Sequence, residues 1–290
     1  MPAGTNRTTI ALPTEVSNEI IQKTQEQSAV MRLATHMTIP GRGVTLPVIT
    51  ADPEAGWVNE TEKKPVSNPG LTTKMMQPYT LAVIVPFSNQ FRRDMTALYN
   101  AIIARLPNAL GKKFDATVFG AATGAPGSNF DVLGGAVGVD IASDAYTGLV
   151  TAKTNIATKG GIMNGIALSP QGESVLLLAK DGNDRPLFLP SMNSKGPDNL
   201  MGASVYATKG AFVQNNPSGK NTVGVAGDWT QAVYGTVAGV DITLSDQATL
   251  TIGGEQVNLW ERNMFAVRAE IEVGFRADTN VFNLLTASAS

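Results

Sequence analysis

The chain of 290 residues contains no cysteine. That absence removes disulfides, thiolate metal sites and cysteine nucleophiles together, and it suits a reducing compartment. Histidine is nearly absent too. His36 is the single one, and beside apolar Met37 it reads as a solvated or structural residue. A serine triad would have to use it, and no G-x-S-x-G elbow is present. Charge is scarce: Asp, Glu, Lys and Arg make up 16% of the chain, against about a quarter in ordinary soluble proteins. A surface so poor in charge points to cover by other subunits. The net charge of -2 gives no basis for gripping nucleic acid through its phosphates. No long apolar run exists. The longest, Leu81–Phe87, is strand-sized, far short of the roughly 18–20 residues of a membrane span. The opening MPAGTNRTTIALP has one arginine and lacks the apolar centre of a signal peptide, so it reads as a flexible arm.

Apolar residues are not scarce; at 43% they are ample for a core. Their clearest pattern lies in residues 88–120. Phe91, Met95, Leu98, Ile102, Leu106, Leu110, Phe114 and Val118 recur at spacings of three and four. They keep one face apolar over about eight turns of a 3.6-residue helix. Asp94 is a candidate N-cap. Pro107 falls inside the pattern, where a proline removes one backbone hydrogen bond and bends the axis. The stripe stays in phase on both sides, which predicts one bent spine and not two helices.

A helix this long needs something laid along it. Residues 263–275 alternate Phe265, Val267, Ala269, Ile271, Val273 and Phe275 with Ala266, Arg268, Glu270, Glu272 and Gly274. This period of two predicts a strand with one apolar face, suited to lie across the spine.

Before the spine, residues 14–35 predict short helical pieces, with Thr14 as N-cap, Val16, Ile20 and Ile21 on one face, and a second turn near Val30, Met31, Leu33 and Ala34. Residues 36–87 predict a long hairpin excursion. Met37–Ile39, Gly43–Ile49 and Leu71–Phe87 are strand-like around a polar tip, GWVNETEKKPVSNPG. A two-stranded ribbon is marginal on its own in water, so a neighbouring subunit is the natural support. Trp57, in a tip rich in charge, is the candidate anchor for that contact; the plain alternative folds Trp57 back on its own subunit.

Residues 121–143 are rich in glycine and read as loop. The run GGAVG lacks the spacing of a dinucleotide turn. Residues 144–258 read as a mixed α/β unit: helices over Asp144–Ala157 and from Pro170 to Lys180, strands near Asn164–Ser169, Ala203–Thr208, Val223–Trp229 and Val240–Leu244. Asp181, Asp184 and Arg185 sit in DGNDRP, a turn before anything else. The carboxylates do not converge. No catalytic residue, cofactor or metal site is expected.

In this order the features resemble the major capsid protein family of tailed bacteriophages, those with the HK97-type fold. The resemblance spans roughly residues 10–286 and rests on five stretches: AGWVNETEKKPVS; LAVIVPFSNQFRRD; NGIALSPQGESVLLLAKDGNDRPLF; LMGASVYAT followed by VGVAGDWTQAVYG; and RNMFAVRAEIEVGFRADTNVFNLL. Their order and spacing together carry it.

The resemblance implies an α+β chain with an N-terminal arm (1–13), a helical segment of the peripheral domain (14–35), an extended β-hairpin loop (36–87), a spine helix (88–120), an axial α/β domain (121–258) and C-terminal strands of the peripheral domain (259–290). It implies copies assembled as pentamers and hexamers into an icosahedral head, built in the bacterial host cytoplasm, enclosing double-stranded DNA without reading its sequence. Partners implied are a separate scaffolding protein, a portal and a decoration protein. Interface candidates are Trp57, Glu60, Glu62, Lys63, Lys64, Arg92 and Arg93. Some relatives weld subunits by a lysine–asparagine isopeptide bond assisted by glutamate. Lys63, Lys64, Asn263 and Glu270 are the residues here of those types; on their own terms the lysines read as solvated or in interfacial ion pairs. An encapsulin-like nanocompartment shell and a soluble enzyme are the alternative readings.

Overall fold

The computed structural model describes residues 22–51, 57–61, 63–64, 66, 70–90, 95–120, 124–188, 199–214, 216 and 219–288. Thr14, Val16, Ile20, Ile21, Phe91 and Asp94 lie outside the described residues.

The spine is a single helix, Met95–Val118, unbroken through Pro107. Ile102, Leu106 and Leu110 are fully buried on one face. They pack against Phe265, Val267, Ala269 and Ile271 of the closing strand, Met264–Ala277, together with Val240 and Ile242. Each such side chain contributes about 1.5–3 kcal/mol when taken out of water. The period of two on the strand and the stripe on the helix thus meet in one layer.

The closing strand organises a five-stranded sheet. Ala232–Thr236 and Asp241–Ser245 pair antiparallel along one of its edges. Tyr79–Ser88 pairs antiparallel along the other, in a continuous register from Met264↔Ser88 to Val273↔Tyr79. Thr35–Thr38 extends the sheet parallel to Ala232–Thr236.

A six-stranded sheet runs Val137–Asp140, Phe282–Ala287, Asn221–Gly227, Gly165–Leu168, Ala203–Ala207 and Asn199–Leu200. The helices Ala145–Thr158 and Pro170–Leu178 share its core. The second begins at Pro170 as expected and the first one residue after Asp144, and each has a side-chain cap: Asp144 accepts from Thr147 N–H, and Ser169 accepts from Gly172 N–H. Between the sheets lies an aromatic junction of Phe114, Phe119, Phe130, Trp229, Phe275 and Phe282. The spine therefore serves two cores, the five-stranded sheet with its middle turns and the junction with its last ones.

Strand pairing groups the chain differently from the sequence boundaries. Leu71–Phe87 is not one strand. It breaks at Gln77-Pro78, where proline cannot donate, into Gly70–Met76 and Tyr79–Ser88. Only Gly70–Met76 belongs to the hairpin, paired with Val44–Ala51. Ala232–Thr236 and Asp241–Ser245, expected in the axial unit, join the five-stranded sheet. The last strand, Phe282–Ala287, expected beside the closing strand, crosses into the six-stranded sheet. A single 3-10 turn, Thr279–Val281, redirects it, with the Asp278 carboxylate accepting from Asn280 N–H at 3.1 Å.

Candidate assembly interface

The hairpin Val44–Ala51/Gly70–Met76 is a two-stranded sheet of its own. Seven register pairs carry it about 24 Å at 3.4 Å per residue. Its base is clamped. Met76 is fully buried, seated over Gly235 and Gly274, which face each other across the sheet. A Cβ on Gly235 would stand 2.8 Å from Ile39 and 3.1 Å from Met76, and one on Gly274 would stand 2.9 Å from Met76. The paired glycines make the notch that the methionine fills.

Beside that notch Arg276 is nearly buried, at 9% exposure. Its Nε and Nη2 donate to the Met75 carbonyl at 2.8 and 2.6 Å, and Nη1 donates to Asp131 at 2.7 Å. Nη2 also donates to Asn129 Oδ1 at 2.9 Å. The other Asp131 oxygen accepts from Ala277 N–H at 3.1 Å and lies 3.5 Å from Lys74 Nζ, which itself donates to the Ala277 carbonyl. Asn129 Nδ2 donates to Gln77 Oε1 at 3.0 Å, and Asn129 N–H to the Tyr79 hydroxyl at 3.3 Å. The loop around 128–131 and the end of the closing strand thus hold Met75, Gln77 and Tyr79, around the corner where the hairpin turns into the sheet. A buried guanidinium with its donors filled is worth most when every partner is present.

Among the described residues, the support ends away from the base. Trp57 is fully exposed and Val66 nearly so, at 106% and 83%. Glu60, Lys63 and Lys64 are exposed beside them. Burying an indole returns several kcal/mol at an interface, because it brings a large apolar area and a donor. The described residues offer Trp57 no such burial.

The other candidates scatter. Glu62, Arg92 and Arg93 lie outside the described residues. Asn263 closes the turn before the closing strand in a left-handed conformation, φ 52°. Its Oδ1 accepts from Asn89 Nδ2 at 2.8 Å, and its carbonyl accepts from Asn89 N–H. Glu270 lies on the outer face of the sheet, 3.2 Å from Arg268 Nε. Seven residues of extended strand separate it from Asn263, about 23 Å. One copy cannot bring the two to a single bond. His36 is exposed and shares a 2.8 Å hydrogen bond with Thr236 Oγ1. Among the described residues no group of three or more His, Cys, Asp or Glu is placed to hold a metal ion, and no helix is long and apolar enough to cross a membrane.

Sequence reasoning missed the clamp. Gly274 was its one legible sign: a glycine inside a regular strand marks close backbone approach. Arg276 lies just past the alternation and carries no mark of its burial. A second buried polar cluster was equally silent. Asp115, on the spine, accepts from Ser28 Oγ at 2.5 Å, Ala29 and Val30 N–H at 3.0 and 3.2 Å, and Thr208 Oγ1 at 2.8 Å. It ties the N-terminal helix Ala29–Leu33 and the six-stranded unit to the spine. Burial pushes its carboxyl above the ordinary value, while these donors pull it back.

Comparison with known proteins gives one consistent answer. The phage capsid family model matches residues 8–281. The probable major capsid protein gp17 of Mycobacterium phage D29 is 27% identical over 289 residues, covering 95% of this chain and 89% of that one. Its counterpart in Mycobacterium phage L5 is 28% identical over 292 residues, with the same coverage. A solved chain from Gordonia phage Cozz superposes with a TM-score of 0.70 at 22% identity, over 91% of this chain and 87% of that one.

Proposed function

The chain belongs to the phage capsid family, and from that premise we propose how one copy takes its place in the shell. It is a major capsid protein of the tailed-phage kind, with an HK97-like fold, and its copies form the capsid of the virion. In the proposed arrangement, copies close head-to-tail as hexamers and pentamers around packed double-stranded DNA. Head-to-tail contacts that close make rings, and many weak contacts sum to a stable shell.

The observation that carries the reading is the hairpin, clamped at its base and bare at its tip. Trp57 enters an apolar seat on the neighbouring copy, with Glu60, Glu62, Lys63 and Lys64 forming polar contacts at its rim. Arg92 and Arg93, at the entrance of the spine, join the same boundary. Scaffolding, portal and decoration proteins are the further partners this role calls for. Negative-stain microscopy and light scattering of the purified protein test the reading: closed particles are expected, and a monodisperse monomer under all conditions would overturn it.

An isopeptide weld would join Lys63 or Lys64 of one copy to Asn263 of a second, with ammonia leaving. Glu270 would have to come from a copy other than the one giving Asn263, as their separation requires. Denaturing electrophoresis of intact particles decides it. Ladders of high mass support the weld, and a single band near the chain mass of 30.4 kDa removes it.

A further inference from the structure

The six-stranded unit presents two apolar features that its own core does not use. The first is a concavity of about 750 Å³, between the start of the helix Ala145–Thr158 and the chain leaving the helix Pro170–Leu178. Tyr146, Val175, Leu178 and Leu187 line it. Leu178 is 76% exposed, and Tyr146 and Leu187 are exposed beside it. The turn DGNDRP shapes its wall. The Asp181 carboxylate accepts from the N–H groups of Asn183 and Arg185 at 2.8 and 2.9 Å. Leu187 N–H donates to the Ala179 carbonyl at 2.9 Å, which returns Leu187 alongside the end of the helix. Large apolar side chains gathered at a concave surface mark a contact site.

The second feature is Ile162. It is 74% exposed, yet its backbone is fixed. Its N–H donates to the buried Asp228 carboxylate at 2.9 Å, and that carboxylate also accepts from Asn164 Nδ2 at 2.9 Å. Just before it, Gly161 N–H donates to the Ile156 carbonyl at 3.0 Å, and a Cβ on Gly161 would stand 3.0 Å from both Ile156 and Val281. An apolar side chain on a mount already rigid loses little freedom on binding. The two features stand at opposite ends of the helix Ala145–Thr158. The twelve residues from Tyr146 to Thr158 alone span about 18 Å at 1.5 Å per residue, so one copy cannot bring them together. Charge divides in the same sense. Asp144 lines the concavity, and hydrogen bonds from Thr147 hold its carboxyl below the ordinary value. Lys159 is exposed, three residues before Ile162. Neither has an ion-pair partner among the described residues, whereas Lys180 and Asp181 at the concavity are paired with Asp184 and Arg185.

Resting on the shell reading above, we propose that Ile162 of one copy seats in the concavity of the next, with Lys159 beside Asp144 at its edge. The two surfaces are different, so the contact is head-to-tail. Each copy gives one knob and receives one, and the contact repeats until the ring closes. It uses the six-stranded unit alone and does not depend on the hairpin tip.

The chain has no cysteine, so introduced thiols are the only ones present. Particles of Ile162→Cys/Leu178→Cys are oxidised with copper–phenanthroline and run on a denaturing gel without reductant. A disulfide needs Cα atoms within about 7 Å of each other, which the span of the helix denies to the two thiols of one copy. A ladder reaching the hexamer is expected, collapsing to one band on reduction, while each single variant gives monomer alone. A monomer band from the double variant overturns the proposal. So does a dimer from either single variant, which would place like surfaces face to face. Ile162→Asp should leave the melting temperature of the subunit unchanged and abolish particles, and Lys159→Glu should lower particle yield by less. Normal particle yield from Ile162→Asp overturns the contact even where thiols cross-link. Failure of the shell reading itself is distinct: the unmodified chain then gives no particles, whereas failure of this contact leaves unmodified particles intact.

Discussion

The spine layer and the hairpin are built from similar material and end in opposite states. Both contain strands with alternating side chains. In the layer, Tyr79–Ser88 and the closing strand lie on a helix that buries Ile102, Leu106 and Leu110 completely. In the hairpin, burial among the described residues is confined to the Met76 end, and Trp57 stands in solvent. The first region is complete within one chain. The second is complete at its root alone. The root of the ribbon is fixed by its own subunit, and the contact proposed for Trp57 is the one that another copy would complete.

The comparison can be broken most forcefully from the layer side. Leu106→Asp or Leu110→Asp removes roughly 1.5–3 kcal/mol of burial and forces a carboxylate into an apolar site at several kcal/mol more. Soluble subunit should vanish from expression trials. If either variant yields folded subunit, the spine is not the core it is taken to be.

Next in size is the root of the hairpin. Arg276→Met keeps much of the volume but strands Asp131 and the Met75 carbonyl, and losing one partner of a buried pair costs about 3–5 kcal/mol. The subunit should still fold, with a lower melting temperature, and amide exchange at 70–76 should quicken more than at 264–273. Equal quickening in both stretches would show that the root is not a separate device.

A smaller effect tests Asp115, the polar tie between the regions. Its folded carboxyl titrates above the ordinary 3.8 because burial disfavours the charge. The folded state therefore binds a proton more readily than the unfolded one. That binding adds stability as pH falls from neutral through the folded value, and the gain is complete by about 3.8. Asp115→Asn cannot gain in this way. The melting temperature of the native chain should rise relative to that of the variant as pH is lowered towards 3.8. A gap that stays constant down to pH 3.8 would mean that burial does not raise this carboxyl.

The smallest effect on the subunit, and the largest on the assembly, belongs to Trp57→Ala. Stability should stay within about 0.5 kcal/mol, as for exposed sites in general, while particle yield falls. Normal particles from this variant would falsify the tip contact.

These regions also differ in how far the sequence disclosed them. The layer was legible because both its periods are long: five apolar residues four apart from Ile102 to Val118, and six two apart from Phe265 to Phe275. Regular spacing survives because one flat surface is being covered. The second helix of the α/β unit announced itself through Pro170 at its first position, whereas the caps Asp144 and Ser169 emerge only in the structure. Strand partners were less legible, since Phe282–Ala287 joins a distant sheet through a turn that only its three-dimensional neighbours determine. The clamp was nearly invisible: Arg276, Asp131 and Asn129 are ordinary polar residues until the fold brings the last two within 3 Å of the first. The family shows in the order of the stretches and not in any one of them, and the tip is marked in the sequence by its composition alone.

The ten paired residues between Tyr79–Ser88 and the closing strand have a mechanical meaning. Genome pressure that drags a hairpin along the direction of these strands pulls on all of the cross-links between them at once. They must then fail together, because sliding one strand past the other breaks every bond in the same displacement. The ribbon beyond Met76, pulled sideways at its free end, opens one pair at a time. The subunit is therefore stiff along the axis of its beam and compliant across its reaching end, so a swelling shell would yield first at the joints between copies and last within any one of them.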